Sequence, residues 1–232
     1  MKLTSEGIMR EFVRKRGDSN VFQAVEPTDF QLKEGLVTVL AGHSGSGKST
    51  LLHMLAGLLV PTAGVVKAGD VSLYELDDEE RSAFRNRHIG IIPQGQTALR
   101  SLTTFENVML PYRLSDAKSK EREAVSAARA ESLLERMGIA DLKDVMPSEM
   151  SGGEIRRMAI ARALLLEPEI LLADEPTADL DPENTAVVLS LLREAARGGT
   201  SVLIVTHDAD AAACADRMFQ MDRGRLTETA AR

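Results

Sequence analysis

The run from Gly42 to Ser49, GHSGSGKS, has the residue types and spacing of a phosphate-binding loop. It matches the pattern Gly-x-x-x-x-Gly-Lys-Ser/Thr, whose glycines let backbone N–H groups wrap around phosphates. In such a loop we expect Lys48 to neutralise the β- and γ-phosphate oxygens and the Ser49 hydroxyl to reach Mg²⁺. The positions that present backbone to the phosphates are His43, Ser44, Gly45, Ser46 and Gly47.

Polar side chains also follow three further apolar runs. Gln94 ends HIGIIPQ, Asp174 and Glu175 end EILLADE, and His207 lies near the end of SVLIVTHD. A carboxylate beside a phosphate loop can hold Mg²⁺, which suits Asp174, and a second carboxylate can activate the attacking water. Two interpretations of Glu175 are open, as that base or as a cap of the turn that follows. Taken alone, a glutamine or histidine of this kind is more often structural than catalytic.

The elements that position these residues alternate between strand and helix. Continuous Val, Ile and Leu runs predict strands buried on both faces of a parallel sheet, at 35–42, 88–94, 169–175 and 201–208. The helical patterns between them indicate an α/β fold and cover 48–59, 117–137, 154–166 and 182–197. Ligands bind outside the carboxyl ends of such strands, so the phosphate loop and the polar residues are expected on one edge. That convergence favours hydrolysis of a nucleoside triphosphate.

Three regions fall outside this alternation. The N-terminal stretches 8–16 and 21–32 read as β-rich and predict an antiparallel edge. Residues 97–150 are more polar and helical, which predicts a small helical subdomain inserted between two strands of the core. Residues 217–227 predict a C-terminal hairpin that turns at the sequence DRG. Since no repeat or linker is visible, residues 1–232 are expected to form one domain.

The composition limits the classes of function. Of 232 residues, 44% are hydrophobic and 27% are charged, as in an ordinary globular protein. The formal net charge of −7 argues against a nucleic-acid partner, and the single cysteine, Cys214, excludes an intrachain disulfide. No apolar run reaches the ~18 residues of a membrane span, and the first residues lack the apolar core of a secretory signal. We therefore expect a cytoplasmic chain whose membrane role comes through a partner.

A second glycine pair, in Ser151-Gly152-Gly153-Glu154, precedes the predicted helix 154–166. Ser151 and Glu154 have the spacing of a capping box. That box does not explain the glycines, each of which costs about 1 kcal/mol relative to alanine in a helix. Exposed N–H groups at a helix start bind anions, so we expect a phosphate to approach the backbone here. Whether this phosphate is bound by the same chain or by another is open at this stage.

The ordered set of motifs resembles the ATP-binding cassette (ABC) ATPases along nearly the whole chain. Gly42–Thr50 resembles the Walker A loop, residues 150–154 the signature, and residues 170–175 the Walker B strand with Glu175 as its catalytic glutamate. The remaining correspondences are Gln94 with the Q-loop glutamine, residues 178–181 with the D-loop and His207 with the switch histidine. The resemblance implies a P-loop NTPase (RecA-like) core with a mainly parallel sheet, an N-terminal antiparallel β edge and an inserted α-helical subdomain.

The resemblance also implies how the site is completed. ATP and Mg²⁺ are the expected cofactors, with Glu175, His207 and Gln94 in catalysis and Ser49, Gln94 and Asp174 at the metal. Such cassettes pair head to tail, so the signature completes the partner's site through Ser151, Gly152, Gly153 and Glu154. Asp181 is expected at the dimer seam. Residues 97–150 are expected to dock transmembrane permease subunits, which would hold the homodimer on the inner face of the membrane.

Some positions depart from the common pattern of the family. Met150 and Glu154 stand where leucine and glutamine are commoner, and Pro93 stands where an aromatic residue is frequent. Phe12 is the expected adenine-stacking ring, with Phe22 as the second choice.

Residues 102–114 resemble cassettes of the macrolide-export, lipoprotein-release and antimicrobial-peptide-export group. Phe105, Val108 and Met109 share one helix face, which serves either as core or as part of a docking surface for a short coupling helix. The leading functional hypothesis is the ATPase subunit of an ABC transporter. The alternative is a regulatory ABC ATPase that moves a membrane partner without transporting a substrate. Soluble cassettes acting on DNA or ribosomes, and GTPases, are disfavoured by the sequence.

Overall fold

The computed structural model describes residues 1–13, 21–95, 97–116 and 118–230, without the side chains of residues 209 and 210. The last three residues of the predicted β-rich stretch 8–16, and the first residue of the predicted helix 117–137, lie outside this described part.

Ten strands are present in the described chain. They are β1 (Leu3–Val13), β2 (Val21–Leu32), β3 (Val37–Ala41), β4 (Ala63–Ala68), β5 (Val71–Ser72), β6 (Ile89–Ile92), β7 (Ile170–Asp174), β8 (Ser201–Val205), β9 (Arg217–Asp222) and β10 (Arg225–Thr229). The α-helices of the same residues are α1 (Lys48–Leu55), α2 (Asp78–His88), α3 (Thr104–Val108), α4 (Leu110–Leu114), α5 (Lys120–Arg136), α6 (Gly152–Leu164), α7 (Pro182–Arg197) and α8 (Ala209–Ala213). Short 3₁₀ segments lie at Ala140–Leu142 and Pro147–Glu149.

A six-stranded sheet forms the centre of the molecule, in the order β10-β9-β3-β8-β7-β6. All its pairings are parallel except that of β10 with β9. Every residue of β7 and β8 is buried, which explains their unbroken apolar sequences, ILLAD and SVLIV. The four strands predicted from such runs are therefore confirmed as β3, β6, β7 and β8.

The N-terminal strands pair antiparallel, as their sequence predicts, but they do not extend the six-stranded sheet. They belong to a second sheet of four strands in the order β2-β1-β4-β5. The expected edge is therefore a separate layer. The residue pattern of a strand indicates which of its faces is buried, but not which strand it pairs with. Strand β1 pairs with β4, which lies some fifty residues further along the chain.

The core lies on both faces of the six-stranded sheet. On one face, α1 and the second sheet pack against the strands through residues such as Leu3, Leu52 and Leu203. On the other face, the strands pack against the longer helices through residues such as Leu134, Met158 and Leu192. Full burial of one such leucine contributes about 1.5–3 kcal/mol relative to exposure.

Helices α3, α4 and α5 lie within the range 97–150, where an inserted helical subdomain was predicted. Their buried residues join the same core cluster as α6 and the sheet. That this range behaves as a separate unit stays a prediction. Across the described residues, no helix is both long enough and apolar enough to cross a membrane.

Candidate active site

The phosphate loop joins the end of β3 to the start of α1, as its motif requires. Its glycines adopt positive φ angles, 152° at Gly42, 77° at Gly45 and 108° at Gly47. A Cβ atom at Gly42 would lie 2.3 Å from the Met221 carbonyl oxygen, and one at Gly47 would lie 2.2 Å from the Ala24 carbonyl oxygen. Both conformation and close approach therefore restrict these positions to glycine.

The N-terminus of α1 has no side-chain cap, unlike α2 and α6, which carry capping boxes. The first backbone N–H groups of α1 therefore stay available for an anion. Lys48, which is only 8% exposed, donates from Nζ to the carbonyl oxygens of Gly42 (2.7 Å) and His43 (2.9 Å). The loop thus concentrates an ammonium group and free N–H groups at one point.

The loop is braced by residues distant in sequence. The Gly224 N–H, in the turn between β9 and β10, donates to the Ser46 carbonyl oxygen (2.8 Å). The Gly224 carbonyl oxygen in turn accepts a hydrogen bond from the N–H of Glu26 on β2 (2.9 Å). The sequence indicates the hairpin turn through its glycine, but it does not indicate that this turn supports the phosphate loop.

Asp174 ends β7 and is almost completely buried. Burial raises the pKa of its carboxyl group, and a hydrogen bond from Ser49 opposes that rise. Its Oδ2 atom is buried and has no hydrogen-bond partner among the described residues. A buried acceptor without a donor is costly unless a ligand satisfies it. The site therefore offers an oxygen atom beside the phosphate loop that the described protein groups leave free.

Glu175 adopts a positive φ of 50°, and its N–H donates to the Val205 carbonyl oxygen (2.8 Å). Its side chain is held at both oxygens, because Thr206 Oγ1 donates to Oε2 (3.0 Å) and His207 Nδ1 lies 2.7 Å from Oε1. Its backbone carbonyl, and not its carboxylate, accepts from Ala178 in the following turn. Of the two open interpretations, the geometry therefore favours the one in which the carboxylate belongs to the site.

The strand order brings the predicted residues to one edge. The phosphate loop follows β3, His207 follows its neighbour β8, Asp174 ends the next strand β7, and Gln94 lies beyond β6. Gln94 is exposed, and the His207 side chain is 79% exposed. The sequence-based expectation of one shared edge is correct for all four strands. Thr206 was missed, since a single threonine that directly follows an apolar strand gives no signal of its own.

The glycine pair lies at the start of α6, where the predicted capping box is present. The Ser151 N–H donates to Glu154 Oε2 (2.7 Å), and the Glu154 N–H donates to Ser151 Oγ (3.3 Å). The first of these bonds is the main cause that lowers the pKa of Glu154. A Cβ atom at Gly153 would meet only ordinary contacts, the nearest being Leu180 Cδ2 at 3.4 Å. Packing within this chain therefore does not require a glycine at position 153.

Asp181 caps α7, accepting from the Asn184 N–H (2.8 Å) and from Asn184 Nδ2 (2.6 Å). These bonds lower the pKa of the Asp181 carboxyl group. Since Leu180 lies next to Gly153, the 178–181 loop and the start of α6 are neighbours within one chain.

The two candidate stacking rings face each other across the β1–β2 hairpin. Phe12 is paired directly with Phe22, and the two side chains are 36% and 37% exposed. The Arg10 guanidinium lies over the Phe12 ring, 4.7 Å from its centroid. Which ring stacks on a base stays a prediction.

The shared face of Phe105, Val108 and Met109 belongs to the core. Val108 and Met109 are buried, and Phe105 packs against the same cluster. Core packing therefore accounts for Val108 and Met109, while docking of a coupling helix on the half-buried Phe105 stays a prediction. The exposed apolar residues nearby are Leu114 on α4 and Val125 on α5, at 71% and 69% exposure. Their spacing gave no signal because they lie on different helices.

A phosphate loop and acidic residues at the same edge of one parallel sheet define the P-loop nucleoside triphosphatases as a class. Within that class, the family described as ABC transporter matches residues 25–178 of the chain. The chain belongs to this family, and it is an ATP-binding and ATP-hydrolysing cassette.

Relatives match over almost the full length. The chain is 41% identical to the lipoprotein-releasing system ATP-binding protein LolD of Hydrogenovibrio crunogenus, over 87% of this chain and 86% of that protein. It is 38% identical to the protein of that name from Chromohalobacter salexigens, over 98% and 94% of the two chains. Among solved structures, the dimeric ATP-binding cassette MJ0796 in a post-hydrolysis state with ADP and Pi is similar. The TM-score is 0.86 at 31% identity, over 97% of this chain and 98% of that one.

Proposed function

We propose that this chain is the ATPase subunit of a lipoprotein-releasing export system. In that role it works as an ATP-driven, head-to-tail homodimer that powers a separately encoded transmembrane permease. The observation that carries the proposal is the nearly end-to-end match to several proteins named for lipoprotein release. The permease would hold the dimer on the cytoplasmic face of the membrane.

ATP binding begins at the phosphate loop, residues Gly42–Thr50. The N–H groups of the loop and of the first turn of α1 receive the phosphates. Lys48 exchanges its bonds to the loop carbonyls for bonds to the β- and γ-phosphate oxygens, so its ammonium group stays paired in both states. Phe12, with Phe22 opposite, supplies an aromatic surface for adenine.

The residues expected at the metal fit Mg²⁺. Ser49, Gln94 and Asp174 offer a hydroxyl, an amide carbonyl and a carboxylate, which are the oxygen ligands that Mg²⁺ prefers. The unpartnered Oδ2 atom of Asp174 is the observation that supports the fit. When bound, Mg²⁺ neutralises charge on the β- and γ-phosphates.

Hydrolysis is assigned to Glu175 as general base. Its carboxylate takes a proton from water as the water oxygen bonds to the γ-phosphorus, and the bond from that phosphorus to the bridging oxygen of ADP breaks. Thr206 fixes one oxygen of Glu175, so the other, now bonded to His207, is the one that faces the water. His207 then turns to the γ-phosphate, which its high exposure permits. Gln94, which follows β6, brings its side-chain amide to the same edge of the sheet.

The glycine pair at the start of α6 is a second phosphate-binding cradle, and it acts across the dimer. Ser151, Gly152, Gly153 and Glu154 approach the γ-phosphate of the partner's nucleotide, which explains a glycine that packing within the chain does not require. Asp181, next to this cradle through Leu180, lies at the seam between the two subunits. Two cradles per chain therefore give two complete sites per dimer.

The docking site for the permease is assigned to an apolar groove between α2, α4 and α5. Two adjoining cavities of about 430 Å³ and about 330 Å³ share Asn86, Leu114 and Leu166 in their walls. Exposed Leu114 and Val125 supply apolar surface, and both basic and acidic side chains surround it. A short amphipathic helix of the permease has the matching chemistry, since it presents an apolar face flanked by polar groups.

The test is reconstitution with the native membrane partner. The tagged chain is purified from detergent-solubilised membranes, and the resulting complex is placed in vesicles that contain a fluorescent lipoprotein. We expect a multi-span protein to co-purify and ATP to release the lipoprotein, with no release from a complex that carries Glu175→Gln. ATP turnover with an intact complex but without lipoprotein release would reject the assigned substrate.

A further inference from the structure

We propose that Arg156 and Arg162, both on α6, are positioning residues that hold the loop carrying Gln94 against the helix that begins at the glycine cradle. The proposal rests on the roles proposed above for Gln94 and for Ser151–Gly153. It adds a mechanical connection between them within one subunit.

Arg156 holds the start of this loop. Its side chain is only 7% exposed, and its guanidinium donates to the Pro93 carbonyl oxygen at 3.0 Å. Among the described residues, no carboxylate lies within ion-pair distance of it. A buried guanidinium without a counter-charge is costly, so a structural reason for its retention is expected. The bond fixes the peptide unit that directly precedes Gln94.

Arg162 holds the chain on the other side of Gln94, at Thr97. Its guanidinium donates to both the backbone carbonyl oxygen (2.9 Å) and the hydroxyl oxygen (2.8 Å) of Thr97. Two donors of one planar group on one residue fix orientation as well as distance. The two arginines lie six positions apart, which is about 9 Å along a helix. Helix α6 therefore contacts the chain on both sides of Gln94, at Pro93 and at Thr97.

The same helix starts at the cradle. Arg156 is five positions from Ser151, the N-cap of α6, so a movement of the helix start moves the Pro93 contact with it. In the proposed dimer, the cradle contacts the nucleotide bound to the partner subunit, and Gln94 contacts the nucleotide bound to its own chain. The two arginines therefore connect the two nucleotide sites through α6. Thr97 and Arg162 also line the smaller cavity of the permease groove, which places the same loop beside the docked partner.

The first test compares Arg156→Gln with wild type and with a matched control. We expect Arg156→Gln to lower kcat for ATP hydrolysis about tenfold with little change in KM, because a misplaced group impairs catalysis more than binding. Arg156→Lys, which keeps a donor, should restore most of the loss. The control is Arg129→Gln, since Arg129 also donates to a carbonyl oxygen of α6, that of Leu164, but its hydrogen bonds go to Leu164 and Glu167 and not to Pro93 or Thr97. It should leave kcat unchanged.

Hydrogen exchange gives a readout independent of activity. In Arg156→Gln, amides within 89–99 should exchange faster while those within 120–136 keep their rates. If Arg156→Gln does not fold, Arg162→Gln carries the same test, because Arg162 is only half-buried. Unchanged exchange in 89–99 for a folded variant would overturn the proposal.

A double-mutant cycle separates this inference from the function proposed for Gln94. If the arginine acts through Gln94, adding Arg156→Gln to Gln94→Ala causes no further loss of kcat. Multiplying effects, or an unchanged kcat in Arg156→Gln beside an impaired Gln94→Ala, would overturn the arginine proposal alone. An unchanged kcat in Gln94→Ala would reject the role of Gln94 itself, and the arginine proposal would fall with it.

Discussion

Glu175 is the residue on which the proposed chemistry depends, and its surroundings set its orientation. Glu175 has a positive φ angle, and its carboxylate is bonded to Thr206 and His207, whereas that of the preceding Asp174 is bonded to Ser49. Asp174 is buried beside Ser49, whereas Glu175 reaches the residues that follow β8. The different surroundings of these adjacent acidic residues suit the two roles proposed for them, metal ligand and base.

Replacing this base tests the assignment directly. We expect Glu175→Gln to lower ATP hydrolysis by about 100-fold or more, since the amide cannot accept the proton from water. ATP binding should remain, so the variant should run as an ATP-dependent dimer in size-exclusion chromatography. Glu194→Gln, at an exposed ion pair with Arg136, is the matched control and should retain hydrolysis. Full activity in Glu175→Gln would mean that another group is the base.

Thr206 provides a second test at this scale. Its hydroxyl donates to Glu175 and accepts from the Asp208 N–H, and the side chain is buried. We expect Thr206→Val to lower kcat about tenfold through a misaligned base, and to reduce stability by about 1–2 kcal/mol. Thr206→Ser keeps the hydroxyl and should recover kcat. If kcat is the same in the valine and serine variants, the hydroxyl does not orient the base.

Among the elements, α6 combines the most of the proposed roles. Its start carries the glycine cradle, its middle holds Pro93, and Arg162 near its end holds Thr97. A helix with these contacts keeps three points in fixed relation, which separate loops would not do. The hydrophobic pattern predicts this helix, but the acceptors of its arginines follow only from the fold.

Gly153→Ala separates stability from assembly. Alanine is favoured over glycine in a helix by up to about 1 kcal/mol, and the added Cβ has room. We therefore expect a melting temperature higher by about 2–4 °C but a weaker ATP-dependent dimer in the Glu175→Gln background. Ser132→Ala, at an exposed position of α5, is the control for helix propensity alone and should leave the dimer unchanged. Dimers of equal strength in both variants would contradict a cradle that acts across the seam.

The elements show which parts of the fold the sequence can predict. Strands β3, β6, β7 and β8 are visible because burial on both faces leaves them continuously apolar. Helix α2 was not predicted because it has no buried residue, so its sequence lacks the apolar periodicity of an amphipathic helix. Its capping box, between Asp77 and Glu80, was the available signal. The second sheet could not be predicted because its pairing joins distant segments, and the same holds for the brace at Gly224.

For the whole molecule, the groove is the proposed connection between ATP hydrolysis and a membrane partner. Leu114 is largely exposed, so Leu114→Asp should shift the melting temperature by no more than about 2 °C. We expect this variant to lose the co-purifying permease, because a carboxylate in an apolar groove disfavours an apolar helix face. Leu58→Asp, at a half-exposed leucine outside the groove, is the control. Retention of the permease by Leu114→Asp would place the docking surface elsewhere.

The phosphate loop contacts residues on both sides of it in the sequence, Ala24 near the start and Met221 and Gly224 near the end. During synthesis on a ribosome, residues 42–49 emerge long before the β9–β10 hairpin exists. A nascent or prematurely terminated chain that lacks the hairpin therefore carries the complete phosphate-binding motif without the contacts to Met221 and Gly224. Since a ligand stabilises the state that binds it, we expect ATP to stabilise chains translated through the hairpin more than shorter ones. We therefore expect a chain that ends before the β9–β10 hairpin to bind ATP more weakly than the full chain, which nucleotide titration of the two chains would measure.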